Sequence, residues 1–352
     1  MKVCESNKNR VTRNREELEA YYRELDKDNL GPLWEVLKGL VPREPKPKAV
    51  PYAWSYEKIR QKLITASELI SAEDAERRVL VLQNPGLPGT SQITDTLYAG
   101  LQILLPGEVA PAHRHTQAAL RFVIEGGGAY TSVNGERTMM HPGDFIITPA
   151  WTWHDHGSSA DGPVVWMDSL DLPLVRFLGA GFREEHVENE QLISKPIGDS
   201  DARYGSGLLP VDCGKHHTSP IFNYPYSRTR EALYRLTHAG EPDPCHGYAL
   251  KYVNPTNGDW AIPTIATGIR LVPKEYRTKP YRSVDGSVLV LVEGKLKVGV
   301  GDEIFILNKN DVFAIPSWTF RQFEAIEDSI FFICSDRPVY EKLGLLREER
   351  RA

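Results

Sequence analysis

The sequence predicts a mainly β protein, with two copies of one small antiparallel barrel or sandwich in a single chain behind an α-helical arm. Short β-branched and aromatic runs, broken by turn signals such as Asn84-Pro85-Gly86, Leu105-Pro106-Gly107-Glu108 and His141-Pro142-Gly143-Asp144, set the class. The same texture returns in the second half at a nearly constant offset. Leu105-Pro106-Gly107-Glu108 matches Val272-Pro273-Lys274-Glu275, Val123-Ile124-Glu125-Gly126 matches Leu291-Val292-Glu293-Gly294, and Gly143-Asp144 with Pro149-Ala150-Trp151 matches Asn310-Asp311 with Pro316-Ser317-Trp318. Three ordered matches mark an internal duplication.

Along the chain, Leu18, Tyr21, Tyr22 and Leu25 fall on one helical face, and Leu33, Leu37 and Leu40 follow Pro32, which predicts two short helices within 15–40. The Pro- and Lys-rich stretch from Pro42 to Pro51 cannot continue a helix, and Ser55 is a suitable cap for a third one through Leu69. Residues 1–76 are therefore assigned to a helical N-terminal arm and 77–172 to the first barrel. Residues 173–246 form a linker with local structure, including a helical candidate near Arg228 to His238, and 247–352 form the second barrel.

Composition narrows the function. The chain has 352 residues, 41% hydrophobic and 25% charged, enough for a large core, and a formal net charge of -5. An acidic balance argues against a nucleic-acid or anionic-membrane surface, both of which need clustered Lys and Arg. An anionic substrate then requires a local Arg. Cys4, Cys213, Cys245 and Cys334 are scattered without a CxxC pair and read as free thiols. The polar stretch Met1 to Asn14 lacks a signal-peptide core, so a cytoplasmic protein is expected, with no membrane partner.

His113 and His115 are two residues apart, so on a strand both rings leave the same face and are able to share an ion. His154 follows in a later strand-like run, and a His pair with a third His on a neighbouring strand is how a small barrel builds an inward-facing metal site. His-Arg-His alone is weak, because surface and core His are common. Its surroundings are specific. Gly107, the His113-Arg114-His115 pair, Glu125-Gly126, Pro142-Gly143-Asp144, Pro149 and His154 together resemble the two motifs of the cupin fold, the double-stranded β-helix or jelly-roll barrel.

The cupin pattern adds a Glu ligand shortly after the His pair, but Ala118, Ala119 and Leu120 stand there. Three neutral imidazoles on Fe(II) leave three coordination positions free. Two suit a chelating aromatic ring with adjacent carboxylate and hydroxyl groups, and one suits dioxygen. In the second copy the aligned positions read Pro280, Arg282 and Arg321, which predicts a barrel that has lost its metal site.

Over nearly the whole length the chain resembles the bicupin gentisate 1,2-dioxygenases and their salicylate and 1-hydroxy-2-naphthoate relatives. The resembling segments include Lys48-Ala49-Val50-Pro51, Glu76-Arg77-Arg78, Asn84-Pro85-Gly86-Leu87, Ala99-Gly100-Leu101-Gln102, Ala110-Pro111-Ala112-His113-Arg114-His115, Arg121-Phe122-Val123 and Tyr252-Val253-Asn254-Pro255. The resemblance implies Fe(II) on His113, His115 and His154, and Arg121 on the substrate carboxylate. Arg121 shares parity with the His pair and points inward if the alternation survives the intervening bend; otherwise it is a surface Arg on the opposite face.

By the same resemblance Arg77 orients an anion, although Arg78 is an equal candidate, and Tyr98, Gly100 and Gln102 either form the wall under the ring or line the barrel without that role. His156 is placed beside the substrate hydroxyl to accept or steer a proton, and Asp168 contacts the far side of the ring or orients His156; alternatively it is a buried, partnered Asp. Trp151, Trp153 and Trp318 are expected to pack cores. The implied reaction opens gentisate (2,5-dihydroxybenzoate) between its carboxyl- and hydroxyl-bearing carbons to maleylpyruvate, in a homotetramer. The same cleavage of salicylate, a 5-substituted salicylate or 1-hydroxy-2-naphthoate is the competing reading, and a metal-binding cupin that is no oxygenase is another.

Overall fold

The computed structural model describes residues 2–351, with side chains from residue 15 onward, so the Cys4 thiol and the other side chains of the polar N-terminus through Asn14 lie outside what is described. The remaining cysteines, Cys213, Cys245 and Cys334, are free thiols. No helix among the described residues is long and apolar enough to cross a membrane.

Residues 1–46 and 47–352 form two units. The first holds the helices Lys2–Lys27 and Leu33–Leu40, the latter starting behind Pro32 with extended backbone. Proline at a helix start loses no hydrogen bond, because that N–H has no intrahelical partner. Tyr22 pins the pair: its hydroxyl donates to Glu35 Oε1 at 2.7 Å and accepts from Trp34 Nε1 at 2.6 Å.

The second unit is a duplicated pair of barrels, each made of two facing antiparallel sheets. In the first barrel one sheet runs in the order Asn223–Tyr224, Phe145–Thr148, Ala119–Glu125, Val164–Leu170, Tyr98–Leu104, Val79–Val81; the other runs Arg183–Glu185, Val109–His115, His154–Ser158, Ala129–Val133, Glu136–Met139. Alternation along each strand divides its side chains between two cores. Leu120, Phe122, Leu101, Ile103, Val165 and Met167 face the second barrel, where Phe122 stacks on Phe332 at a ring separation of 4.4 Å. Their neighbours Val123, Val164 and Trp166 face the first barrel's interior.

That interior is apolar at one end only. In the second barrel the corresponding faces carry Leu289, Leu291, Phe331 and Ile333 within a larger apolar filling. The first barrel leaves the other end of its interior to polar side chains.

The duplication reaches further than the barrels. Helix Tyr56–Leu69 and helix Tyr226–Thr237 dock alike: Tyr56 and Arg60 bind Glu125, and Tyr226 and Arg230 bind Glu293. The strand before each helix crosses to the opposite barrel. Tyr52–Trp54 pairs with Val312 to Ala314, and Asn223–Tyr224 pairs with Phe145 and Ile146. The stretches read from sequence as arm and linker thus supply strands to the sheets. Strands of two or three residues are too short to show a period of two.

Candidate metal centre

His113 and His115 leave strand Val109–His115 on the same face, and the register sets His113 directly opposite His154. The three ring centroids lie 4.3–5.3 Å apart, and one nitrogen of each falls within 4.8 Å of the others. Each Nδ1 sits near a backbone carbonyl two residues away: Pro111 O at 3.2 Å for His113, Gln117 O at 2.8 Å for His115, Thr152 O at 2.9 Å for His154. A carbonyl only accepts, so at His115 and His154 Nδ1 carries the hydrogen and Nε2 keeps its lone pair. At His113 the carbonyl is shared, since Arg77 Nη2 donates to Pro111 O at 2.7 Å and lies 2.6 Å from the ring nitrogen.

Burial, followed by the charge of Arg77, pushes His113 down to about 3, and burial with Arg121 and Arg77 pushes His115 down to about 4. Burial and the other two rings hold His154 far below its ordinary range. All three are neutral donors at neutral pH. His154 Nε2 is buried without any hydrogen-bond partner. Such an orphan is costly unless an ion takes it, and three convergent imidazole nitrogens suit a divalent transition metal. Among the described residues the cluster includes no carboxylate.

Next to the rings lies a row of inward positions in register across three strands: Arg121, Asp168 and Gly100. Arg121 is 4% exposed, donates from Nη1 to Thr148 Oγ1 at 2.6 Å, and holds Nε 3.1 Å from Asp168 Oδ1 as an ion pair outside hydrogen-bond alignment. Burial raises the Asp168 carboxyl and lowers the Arg121 guanidinium, and the charge of each opposes the other's shift. The second Asp168 oxygen accepts from Trp166 Nε1 at 3.0 Å. Asp168 therefore serves Arg121 rather than orienting His156, whose Nδ1 faces Thr131 Oγ1 at 3.0 Å. His156 is fully buried, burial keeps it neutral, and its Nε2 has no partner.

Of the adjacent arginines, Arg77 is at the His113 ring, with its pKa lowered by burial and by Arg121 to about 9, while Arg78 turns away to Glu108. Gln102 is buried with Nε2 unpartnered. Tyr98 is raised by burial and then by Asp168. A Cβ at Gly100 would stand 2.5 Å from Val79 Cγ1 and 2.9 Å from the Tyr98 hydroxyl, so any larger residue there would have to displace both side chains. The strand Arg183–Glu185 covers the outer edge of the His113–His115 strand, a contact that no sequence signal announced.

Two expectations need correction. The second barrel pairs Tyr281 with Arg321 as the first pairs His113 with His154, and Trp318 N donates to Ser283 O as Trp151 N donates to His115 O. The true counterparts of His113 and His115 are thus Tyr281 and Ser283, one residue beyond the aligned Pro280 and Arg282. Trp151 is no core residue: it is 40% exposed, and the Arg114 guanidinium lies over both Trp151 and Trp153, as Arg282 lies over Trp318.

Comparison with known proteins agrees with this architecture. Residues 100–170 match the family model described as "Cupin domain". The chain is 52% identical over 341 residues to gentisate 1,2 dioxygenase 1 of Aquipseudomonas alcaligenes, covering 97% of each, and 31% identical to a 5-aminosalicylate 1,2-dioxygenase of Comamonas sp, covering 96% of this chain and 91% of that protein. The solved structure of salicylate 1,2-dioxygenase from Pseudoaminobacter salicylatoxidans as adducts with gentisate superposes with a TM-score of 0.90 at 34% identity, over 96% of this chain and 94% of that one. Fold, site and sequence together place the chain in the gentisate 1,2-dioxygenase family of cupin proteins.

Proposed function

We propose that the protein is an Fe(II)-dependent dioxygenase that opens gentisate between its carboxyl- and hydroxyl-bearing carbons, giving maleylpyruvate with both atoms of dioxygen incorporated. The observation that carries this reading is a cluster of three neutral imidazoles without a carboxylate, beside a buried guanidinium. Fe(II) held by His113, His115 and His154 supplies an open, cationic centre for a chelating anion and dioxygen.

The chain's own groups divide the remaining work. Arg121 receives the ring carboxylate in a charge-assisted contact, with Asp168 and Thr148 fixing the guanidinium so that little freedom is lost on binding. Arg77 adds a second positive charge on the His113 side. His156, neutral and with a free Nε2, accepts or returns the proton of the neighbouring hydroxyl. Tyr98, Gly100 and Gln102 form the wall under the ring. The working unit is a cytoplasmic homotetramer.

Oxygen uptake by Fe(II)-loaded protein against a panel of hydroxybenzoates tests the reading. Gentisate is expected to be consumed with a maleylpyruvate product spectrum, and a metal-loaded protein that takes up no oxygen with any member of the panel would refute it. A second reading, the same cleavage of salicylate or a 5-substituted salicylate, is favoured by the likeness to the salicylate 1,2-dioxygenase solved as adducts with gentisate and to the 5-aminosalicylate 1,2-dioxygenase. The same panel separates the two.

A further inference from the structure

The second barrel has no histidine at the matching positions, yet beside its apolar filling it keeps polar side chains at one end. Its mouth opens on a cavity of about 420 Å³ whose lining includes Arg270, Arg321, Tyr281, His246 and Asp285. The register makes Arg321 the counterpart of His154. Gly268 faces Ile333 as Gly100 faces Asp168, so Arg270, two residues on, is the counterpart of Gln102. A metal position and a wall position have both become guanidinium groups.

Among the described residues neither has a carboxylate in ion-pair contact. Arg321 is 3% exposed, and its Nε and Nη1 are buried without any hydrogen bond; the guanidinium lies over the Tyr281 ring at 4.6 Å. Arg270 Nη1 meets only His246 Nδ1, at 3.2 Å. Burial and Arg270 keep His246 neutral, so the ring accepts from the guanidinium and adds no charge. The cations at the rim are already matched, Arg337 by Glu341 and Glu348 and Arg350 by Asp243. Asp285, a buried carboxylate facing the pair, takes its hydrogen bonds from the hydroxyls of Ser283 and Ser287. Arg321 thus keeps two buried N–H groups that nothing accepts from, a costly state for an interior unless an acceptor completes them.

The geometry points to a ligand site in the second barrel for a small organic carboxylate, held by Arg270 and Arg321 against the Tyr281 ring. A guanidinium fork matches a carboxylate in two parallel hydrogen bonds. The volume lies in the range of small-molecule sites and exceeds what one inorganic ion fills. Ile333 and Leu250 in the lining offer apolar surface to a carbon skeleton.

Calorimetric titration of maleate, and separately of inorganic phosphate, into the full metal-loaded protein tests this. Wild type is expected to bind maleate at a site that survives Arg121→Gln in the first barrel. Arg321→Gln and Arg270→Gln should each weaken it on the order of tenfold or more. Maleate should also raise the melting temperature of wild type but not of Arg321→Gln. Both variants should fold, because each removes a charge that has no ion-pair partner; failure of either to fold overturns the proposal. So does an absence of maleate binding, binding that is lost with Arg121→Gln and kept by Arg321→Gln, or phosphate bound more tightly than maleate.

Discussion

Each of the three site histidines spends one nitrogen on a backbone carbonyl and aims the other at the same point, so the loss of one ring removes a third of the donor set without altering the others. His115→Ala is expected to reduce bound iron to background and abolish turnover, read by metal analysis of purified protein and oxygen uptake; full iron occupancy in that variant would remove His115 from the ligand set. Arg121 is locked by Thr148 and Asp168, and lysine carries the charge without the fork. Arg121→Lys should raise KM for gentisate by roughly ten- to a hundredfold, the range for a charged hydrogen bond worth about 1.5–3 kcal/mol, with iron content unchanged. These residues were legible before the fold, because a spacing of two and shared parity are facts of the sequence. The Asp168 partnership was not, since it depends on a register that shifts between Val165 and Trp166. The same weakness moved the second-copy assignment by one residue, to Pro280 in place of Tyr281, where no histidine anchors the alignment.

At the scale of elements, the two helices that precede the barrels are each held at the N-terminus by an acidic side chain, one from the second barrel and one from the first. Asp311 of the second barrel accepts from the backbone N–H of Tyr56 at 2.9 Å, and Asp144 of the first accepts from that of Tyr226 at 2.9 Å. Those N–H groups belong to helix first turns, which have no intrahelical acceptor, and each Asp also ties down its own turn through Asn308 N or His141 N. Asp311→Ala leaves the buried Tyr56 N–H unmatched and frees the part-buried Asn308 N–H, and should destabilise the chain by about 1–3 kcal/mol, measured by urea unfolding, while iron binding in the other barrel persists. An unchanged unfolding midpoint would show that the cap contributes nothing. The helix over Tyr56–Leu69 was legible from the Pro-rich stretch before it and the candidate cap Ser55, although Ser55 makes no side-chain cap bond and Asp311 does that work from 255 residues away. No local pattern reveals a cap so distant. The crossing strands escaped for a related reason: their identity lies in their partners, not in their own few residues.

For the whole molecule, the exchange of strands and the shared core between Phe122 and Phe332 make each barrel incomplete without the other. Two buried carboxylates tie the halves together in matching fashion. Asp171, behind the first barrel's last strand, accepts from Thr264 Oγ1 at 2.6 Å and from Ala118 N at 3.0 Å; Asp336, behind the second's, accepts from Thr96 Oγ1 at 2.5 Å and from Gly286 N at 2.9 Å. Burial pushes Asp171 up to about 6, and burial with the nearby Asp285 pushes Asp336 up to about 7, from an ordinary 3.8. A carboxyl raised in the folded state binds more protons there than in the unfolded chain throughout the interval between the two values. Its contribution is therefore fully present below pH 4 and is lost as the pH climbs to about 7, which for Asp336 amounts to on the order of 4 kcal/mol. Asp336→Asn keeps an acceptor for Gly286 N–H and cannot ionise. The stability difference between the variant and wild type, from urea unfolding at steps between pH 4.5 and 7.5, should move steadily in the variant's favour as the pH rises and level off above 7; a difference that stays flat across that interval would mean that Asp336 is charged in the fold throughout. Because the two halves share one core, the expected unfolding is a single transition, and the titration of a residue between the barrels should shift the midpoint of the whole second unit rather than of one barrel.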